Sequence, residues 1–201
     1  MKILLASNNR HKQREIQQIF DSVAPGFIEL LAPGDVLQKT IEVEETGKTL
    51  EENAYLKAKA FFDLARMPCI ADDTGLEIDA LNGAPGVHSA RFAGERCDDA
   101  SKRRKALEML KGAPPEQRTA RFRTVFCYID GAQARYAEGI CRGKIIDEER
   151  GSGGFGYDSL FVPEGFSQTF AEMSASQKNE LSHRGKAALN LVEILVDSVN
   201  E

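Results

Sequence analysis

Ile3-Leu4-Leu5-Ala6-Ser7-Asn8-Asn9-Arg10-His11-Lys12 leads into a stretch where Glu15, Ile16, Ile19 and Phe20 fall at helical spacing. The apolar run predicts a buried strand over 2–6. The spacing after it predicts a helix over 9–22, with Asn8 or Asn9 as N-cap. Arg10, His11 and Lys12 then fill the first helical turn, where the positive end of the helix dipole disfavours a cation by roughly 0.3–1 kcal/mol. Such a start is favourable when an anion rests on the free backbone N–H groups with Lys12 beside it.

Beyond this opening, a strand at 27–31 precedes an irregular acidic segment at 41–48. Thr49-Leu50-Glu51-Glu52 has the form of a capping box, with Thr49 as cap and Glu52 at the third helical position, and starts a helix over 50–66. A short strand, Cys69-Ile70-Ala71, ends in Asp72-Asp73. A second strand at 75–80 and a Gly/Pro loop at 83–86 follow. A helix over 99–111 stops at Gly112, and strands at 121–129 and 133–141 flank the turn pair Asp130-Gly131. The glycine-rich Gly151-Ser152-Gly153-Gly154-Phe155-Gly156 precedes a strand at 159–162. Helices at 175–181 and 183–198 close the chain. Strands alternating with helices around a long hairpin give an α/β protein with a mixed sheet, read as a single domain over 1–201.

The 201 residues are 42% hydrophobic and 28% charged, ordinary for a globular protein with a sizeable core. The net charge of −5 argues against a polynucleotide partner, which asks for a strongly basic face, and is compatible with a mononucleotide. The four cysteines form no CxxC pair, and with three scattered histidines no zinc pattern arises. Reduced thiols in a cytoplasmic protein are expected. Neither a secretory leader nor a membrane span of roughly 20 apolar residues is expected.

Three groups of residues offer chemistry. Asp72 and Asp73 at the end of a buried strand, with Glu44-Glu45 upstream, suit Mg²⁺, which takes one or two carboxylates and completes its shell with waters and substrate phosphates. One aspartate can also serve as general base on a water. On composition alone, Asp72-Asp73-Thr74-Gly75 reads as a turn. Ser182, His183 and Arg184 form a second helix start with cations against the dipole, next to Lys178 and Asn179. These side chains suit a phosphate or a base edge, or are simply exposed. The 151–156 loop lets backbone approach a ligand, with Phe155 or Tyr157 to stack on a base and Asp158 to accept from a base or ribose donor. Arg118, Arg121 and Arg123 read as a solvated strand edge.

Together these segments resemble the inosine triphosphate pyrophosphatase family, in order and over nearly the whole chain. Ser7, Asn9 and Lys12 match its Thr/Ser-x-Asn-x-x-Lys. Glu45-Thr46-Gly47, Glu52 to Ala58, Ala71 to Leu76, Gly83 to Arg91, Gly153 to Asp158 and Lys178 to Arg184 match its other motifs. Ser159 stands where many members have proline, and Ser7 where many have threonine.

The resemblance implies an elongated, two-lobed mixed β-sheet flanked by helices, with the active cleft between the lobes, and usually a homodimer. It implies Mg²⁺-dependent hydrolysis of ITP, dITP and XTP to the monophosphate and pyrophosphate. It assigns the triphosphate to Ser7, Asn8, Asn9, Arg10, His11 and Lys12. Glu45 and Asp73 would hold Mg²⁺, with Asp73 also the general base and Asp72 in support. Thr74, Phe155, Gly156, Tyr157, Asp158, Lys178, His183 and Arg184 would contact the nucleotide. A pyrophosphatase for other modified nucleotides, or a sensor that binds without hydrolysis, is the competing expectation.

Overall fold

The computed structural model describes residues 1–39, 41–131 and 133–200. The elements are β1 (Lys2–Leu5), α1 (Arg10–Val23), β2 (Glu29–Leu31), α2 (Pro33–Val36), α3 (Leu50–Ala65), β3 (Cys69–Ile78), β4 (Pro85–Gly86), α4 (Asp99–Met109), β5 (Thr119–Ile129), β6 (Ala134–Ile145), β7 (Phe161–Pro163), α5 (Ala175–Leu181) and α6 (His183–Asn200). Among the described residues one sheet forms, in the order β2-β1-β3-β5-β6-β7, with β4 on β3. It is mixed: β1 runs parallel to β2 and β3, while β4 is antiparallel to β3 and β7 to β6. No described helix is long and apolar enough to cross a membrane.

The described chain divides into two compact units. The first holds Met1–Asp73, Thr124–Gly139 and Arg184–Glu201. Its strands are covered on both faces, and strand alternation sorts the side chains. Ile3, Leu5, Ile70, Phe126 and Tyr128 pack with Ile16, Ile19 and Phe20 of α1 and Ala187, Ala188 and Leu191 of α6. The intervening Leu4, Ala6, Cys69, Ala71, Cys127 and Ile129 pack with Ala54, Ala58 and Phe61 of α3. The second unit holds Thr74–Arg123 and Ile140–His183. Its core gathers Leu76, Ile78, Phe122, Phe161 and Phe170 around Leu110 of α4.

Helix starts follow the sequence closely. Asn9 caps α1, accepting the Lys12 N–H at 3.1 Å. Thr49 caps α3, accepting the Glu52 N–H at 3.1 Å. The box is not reciprocal, however: the Glu52 carboxylate takes the Lys48 N–H at 2.5 Å, one residue outside the cap. A larger departure is β3, which runs unbroken where two strands and a turn were expected. Asp72 and Asp73 therefore lie inside a strand. The hairpin strands β5 and β6 are each longer than expected, and β7 begins two residues late because 157–160 form a turn.

Arg118 is buried rather than solvated. Its Nε donates to the Ala113 carbonyl at 2.9 Å and its Nη2 to Leu110 at 3.2 Å, so the cation closes the C-terminal end of α4, where the dipole favours it. Arg121 is likewise committed, with Nε 2.6 Å from Glu77.

Candidate active site

Because adjacent side chains in a strand point to opposite faces, β3 sends its two aspartates apart. Asp72 shares the face of Ile70, which packs on α1 and α6, and Asp73 the face of Ala71, which packs on α3. Each carboxylate meets cations supplied by the layer it faces.

Asp72 is buried, with its Oδ1 2.8 Å from Lys12 Nζ and its Oδ2 3.8 Å from Arg184 Nε. Arg184 also lies 3.3 Å from Glu15. Burial opposes the charge on Asp72, but Lys12, Arg184 and Lys57 outweigh it and hold the carboxyl below the usual carboxylate range. The cations at two dipole-opposed helix starts thus converge on one internal anion. Arg184 and His183 are both buried, correcting the exposed alternative. The His183 ring stacks on Phe122 at 4.6 Å and 15°, inside the core of the second unit, and does not present itself to solvent.

Asp73 meets α3. Lys57 Nζ lies 2.9 Å from Asp73 Oδ1 and 2.6 Å from Glu45 Oε1, so two carboxylates converge on one cation. The fully buried Asn53 donates to Asp73 Oδ2 at 3.2 Å and accepts the Gly47 N–H at 2.8 Å. That bridge ties the Glu45-Thr46-Gly47 segment to the strand. A side chain at Gly47 would sit 2.6 Å from Asn53 Oδ1, which explains glycine there. Burial pushes the Asp73 carboxyl up; Lys57 opposes this and Glu45 adds to it. Asn53 and Lys57 were not singled out as functional from sequence. The available signal was a polar pair spaced i, i+4 on the apolar stripe of α3.

A cavity of about 370 Å³ in the first unit is lined by Ser7, Asn8, Asn9, Lys12, Glu45, Lys57 and Asp72, among others. Ser7 Oγ accepts the Asn9 N–H at 3.2 Å, and Asn8 donates to the Ile41 carbonyl at 2.9 Å. Arg10 is exposed and does not line the cavity. The side chain of His11 lies outside the described residues.

Phe155, Asp158 and Lys178 come together in the second unit. Lys178 Nζ is 2.9 Å from Asp158 Oδ2 and 5.3 Å from the Phe155 ring centroid, a cation–π distance. Asp158 also accepts the Phe155 N–H at 2.9 Å. A Cβ on Gly154 would collide with that carboxylate. Phe155 is 38% exposed and presents a stacking face, whereas Tyr157 is only 4% exposed. Tyr157 donates its hydroxyl to the Ser89 carbonyl at 3.0 Å, so it belongs to the core and is not the stacking ring. Thr74 is half-buried in β3, next to Asp73.

Among the described residues no group of three or more His, Cys, Asp or Glu side chains gathers as a metal cage. Glu45 and Asp73 fit a hard cation of another kind, one that takes two protein carboxylates and leaves its other positions to phosphates and waters. Their convergence on the Lys57 ammonium shows that both reach a common positive centre.

The sequence model of the Ham1 family matches residues 3–194. A dITP/XTP pyrophosphatase of Elusimicrobium minutum is 49% identical over 189 residues, spanning 93% of this chain and 95% of that protein. Its counterpart in Desulforamulus reducens is 45% identical over 196 residues, spanning 97% and 96%. The structure of a HAM1 protein from Coxiella burnetii superposes with a TM-score of 0.85 at 36% identity, covering 98% of this chain and 99% of that one.

Proposed function

The chain belongs to the Ham1 family, and from that premise we propose that it hydrolyses dITP, ITP and XTP to the monophosphate and pyrophosphate, clearing deaminated purines from the nucleotide pool. One observation carries the reading: Glu45 and Asp73 converge on Lys57 beside a cavity whose other wall is the Ser7–Lys12 helix start. Carboxylates for a metal and a base thus adjoin amides and a lysine for phosphate.

Glu45 and Asp73 would hold Mg²⁺. When bound there, Mg²⁺ would offset the negative charge of the phosphate oxygens and make the α-phosphorus more open to attack. Asp73, its carboxyl raised by burial, takes the proton of the attacking water. Lys12 and the N–H groups at the start of α1 hold the phosphates and stabilise departing pyrophosphate. Asp72 keeps Lys12 and Arg184 in place. Phe155 stacks on the purine, and Lys178 donates to a 6-keto oxygen. An adenine 6-amino group would set donor against donor there.

The same reading takes residues 1–201 as one catalytic domain, acting as a homodimer in the cytoplasm, where the nucleotide pool lies. Product analysis with Mg²⁺ and ITP, ATP and GTP tests it. IMP plus pyrophosphate, with ITP well ahead of ATP and GTP, is expected. IDP plus orthophosphate refutes attack at the α-phosphorus. Tight ITP binding without turnover identifies a sensor instead.

A further inference from the structure

Gly156 is gripped from outside its own loop on both of its backbone polar groups, one in each of the two peptides that flank its Cα. Its N–H donates to Asp99 Oδ2 at 2.7 Å, and its carbonyl accepts from Arg103 Nη1 at 2.8 Å. Asp99 and Arg103 are spaced i, i+4 on α4, so they project from one helix face. The grip is itself braced. Lys102 lies 2.5 Å from Asp99, and Arg103 Nε lies 2.8 Å from Glu149 Oε2. That same oxygen accepts from Ser159 Oγ at 3.1 Å. One planar guanidinium therefore links the loop at Gly156 to the Glu149–Ser159 contact.

Gly156 has φ of +63° and directly follows Phe155. The N–H held by Asp99 lies in the Phe155–Gly156 peptide, so rotating that peptide swings the Phe155 ring relative to Lys178, whose Nζ lies 5.3 Å from the ring's centroid and 2.9 Å from Asp158. The network contains neither Lys12, Lys57 nor Asp73. We propose that Asp99 and Arg103 are positioning residues for purine selectivity: by clamping from α4 the two successive peptides that flank Gly156 they fix Phe155 against Lys178. The inference rests on the assignment of Phe155 and Lys178 to the base.

The test compares kcat and KM for ITP and ATP in Asp99→Ala, Asp99→Asn and Arg103→Leu. The two disruptive variants should raise KM for ITP about tenfold, leave kcat within about twofold, and cut the ITP-to-ATP ratio of kcat/KM about tenfold. Asp99→Asn keeps an acceptor for the Gly156 N–H and should restore the parent ratio. A fall in kcat with an unchanged ratio would mean a purely structural clamp and overturn the proposal. Melting temperatures identify any variant that fails to fold, and Asp99→Asn against Asp99→Ala then decides the case without Arg103→Leu. Phe155→Ala and Lys178→Ala run alongside. If they lower the ratio and the clamp variants do not, the clamp alone is refuted. If neither lowers it, the base assignment falls and the clamp with it.

Discussion

Asp72→Asn and Asp73→Asn, one residue apart, should fail in different ways. Asp72 has a side chain only 1% exposed and faces Lys12 at 2.8 Å and Arg184 at 3.8 Å. Removing one partner of a buried pair costs roughly 3–5 kcal/mol, because the cation left behind has lost its hydration. Arg184 retains Glu15 at 3.3 Å, and Lys12 is 18% exposed, so the low end of that range, about 3 kcal/mol, is expected. Asp73→Asn leaves Lys57 with Glu45 at 2.6 Å; the single amide oxygen serves Lys57 or Asn53 but not both, so one hydrogen bond is lost and about 1 kcal/mol is expected. Activity orders them the other way: Asp73→Asn should stay folded and lose about 10²–10⁴-fold in kcat, the share of a general base. Urea unfolding followed by circular dichroism gives the stabilities, and pyrophosphate release gives kcat.

The pH dependence supplies an independent check. The folded-state pKa of Asp72 is depressed, so its contribution is present above the unfolded-chain pKa of about 3.9 and is lost as pH falls through the folded value. The stability gap between the parent and Asp72→Asn should therefore hold near neutrality and close in acid. Equal losses for the two variants, or a loss below about 1 kcal/mol for Asp72→Asn, would refute the opposed-face account.

Three further outcomes follow from local geometry. Burial pushes the Cys69 and Cys127 thiols up to about 12, and Cys141 is buried, so a thiol reagent at pH 8 should modify the native protein at Cys97 alone, as peptide mapping would show. Gly47→Ala places a methyl 2.6 Å from Asn53 Oδ1 and 2.9 Å from the Asn53 backbone N, so the segment must shift; kcat/KM should fall at least about tenfold and the melting temperature should drop with it. A wild-type kcat/KM would count against the Asn53 bridge. Thr49→Ala removes the α3 cap and should cost about 1 kcal/mol in urea unfolding without changing KM.

The opening strand and helix were legible because their signals are local: an apolar run, an Asn cap, a helical spacing. The unbroken course of β3 was not. Aspartate disfavours strands, and Asp72-Asp73-Thr74-Gly75 has turn composition. What holds it extended is tertiary: Lys12 and Arg184 on one face, Lys57 and Asn53 on the other. The same distance in sequence hid the burial of Arg118, whose bracing partner Asp147 lies beyond the hairpin, and of His183, whose stacking partner is Phe122. The sequence offers Phe155 and Tyr157 alike as stacking rings, because the Ser89 carbonyl that receives the Tyr157 hydroxyl lies far upstream. Lys12 faces an anion supplied by the chain itself, Asp72, which lies far downstream in sequence.

The opposed aspartates also restrict how β3 can change over generations. A one-residue deletion early in the strand would turn Asp73 toward the helix starts of α1 and α6 and Asp72 toward α3, and would move Ile70 and Ala71 to each other's layers. Two charge networks and two cores would fail in one event. Exchanges of side chain along β3 remain open to gradual selection, whereas insertions and deletions there do not, and heritable changes of length are left to the loops.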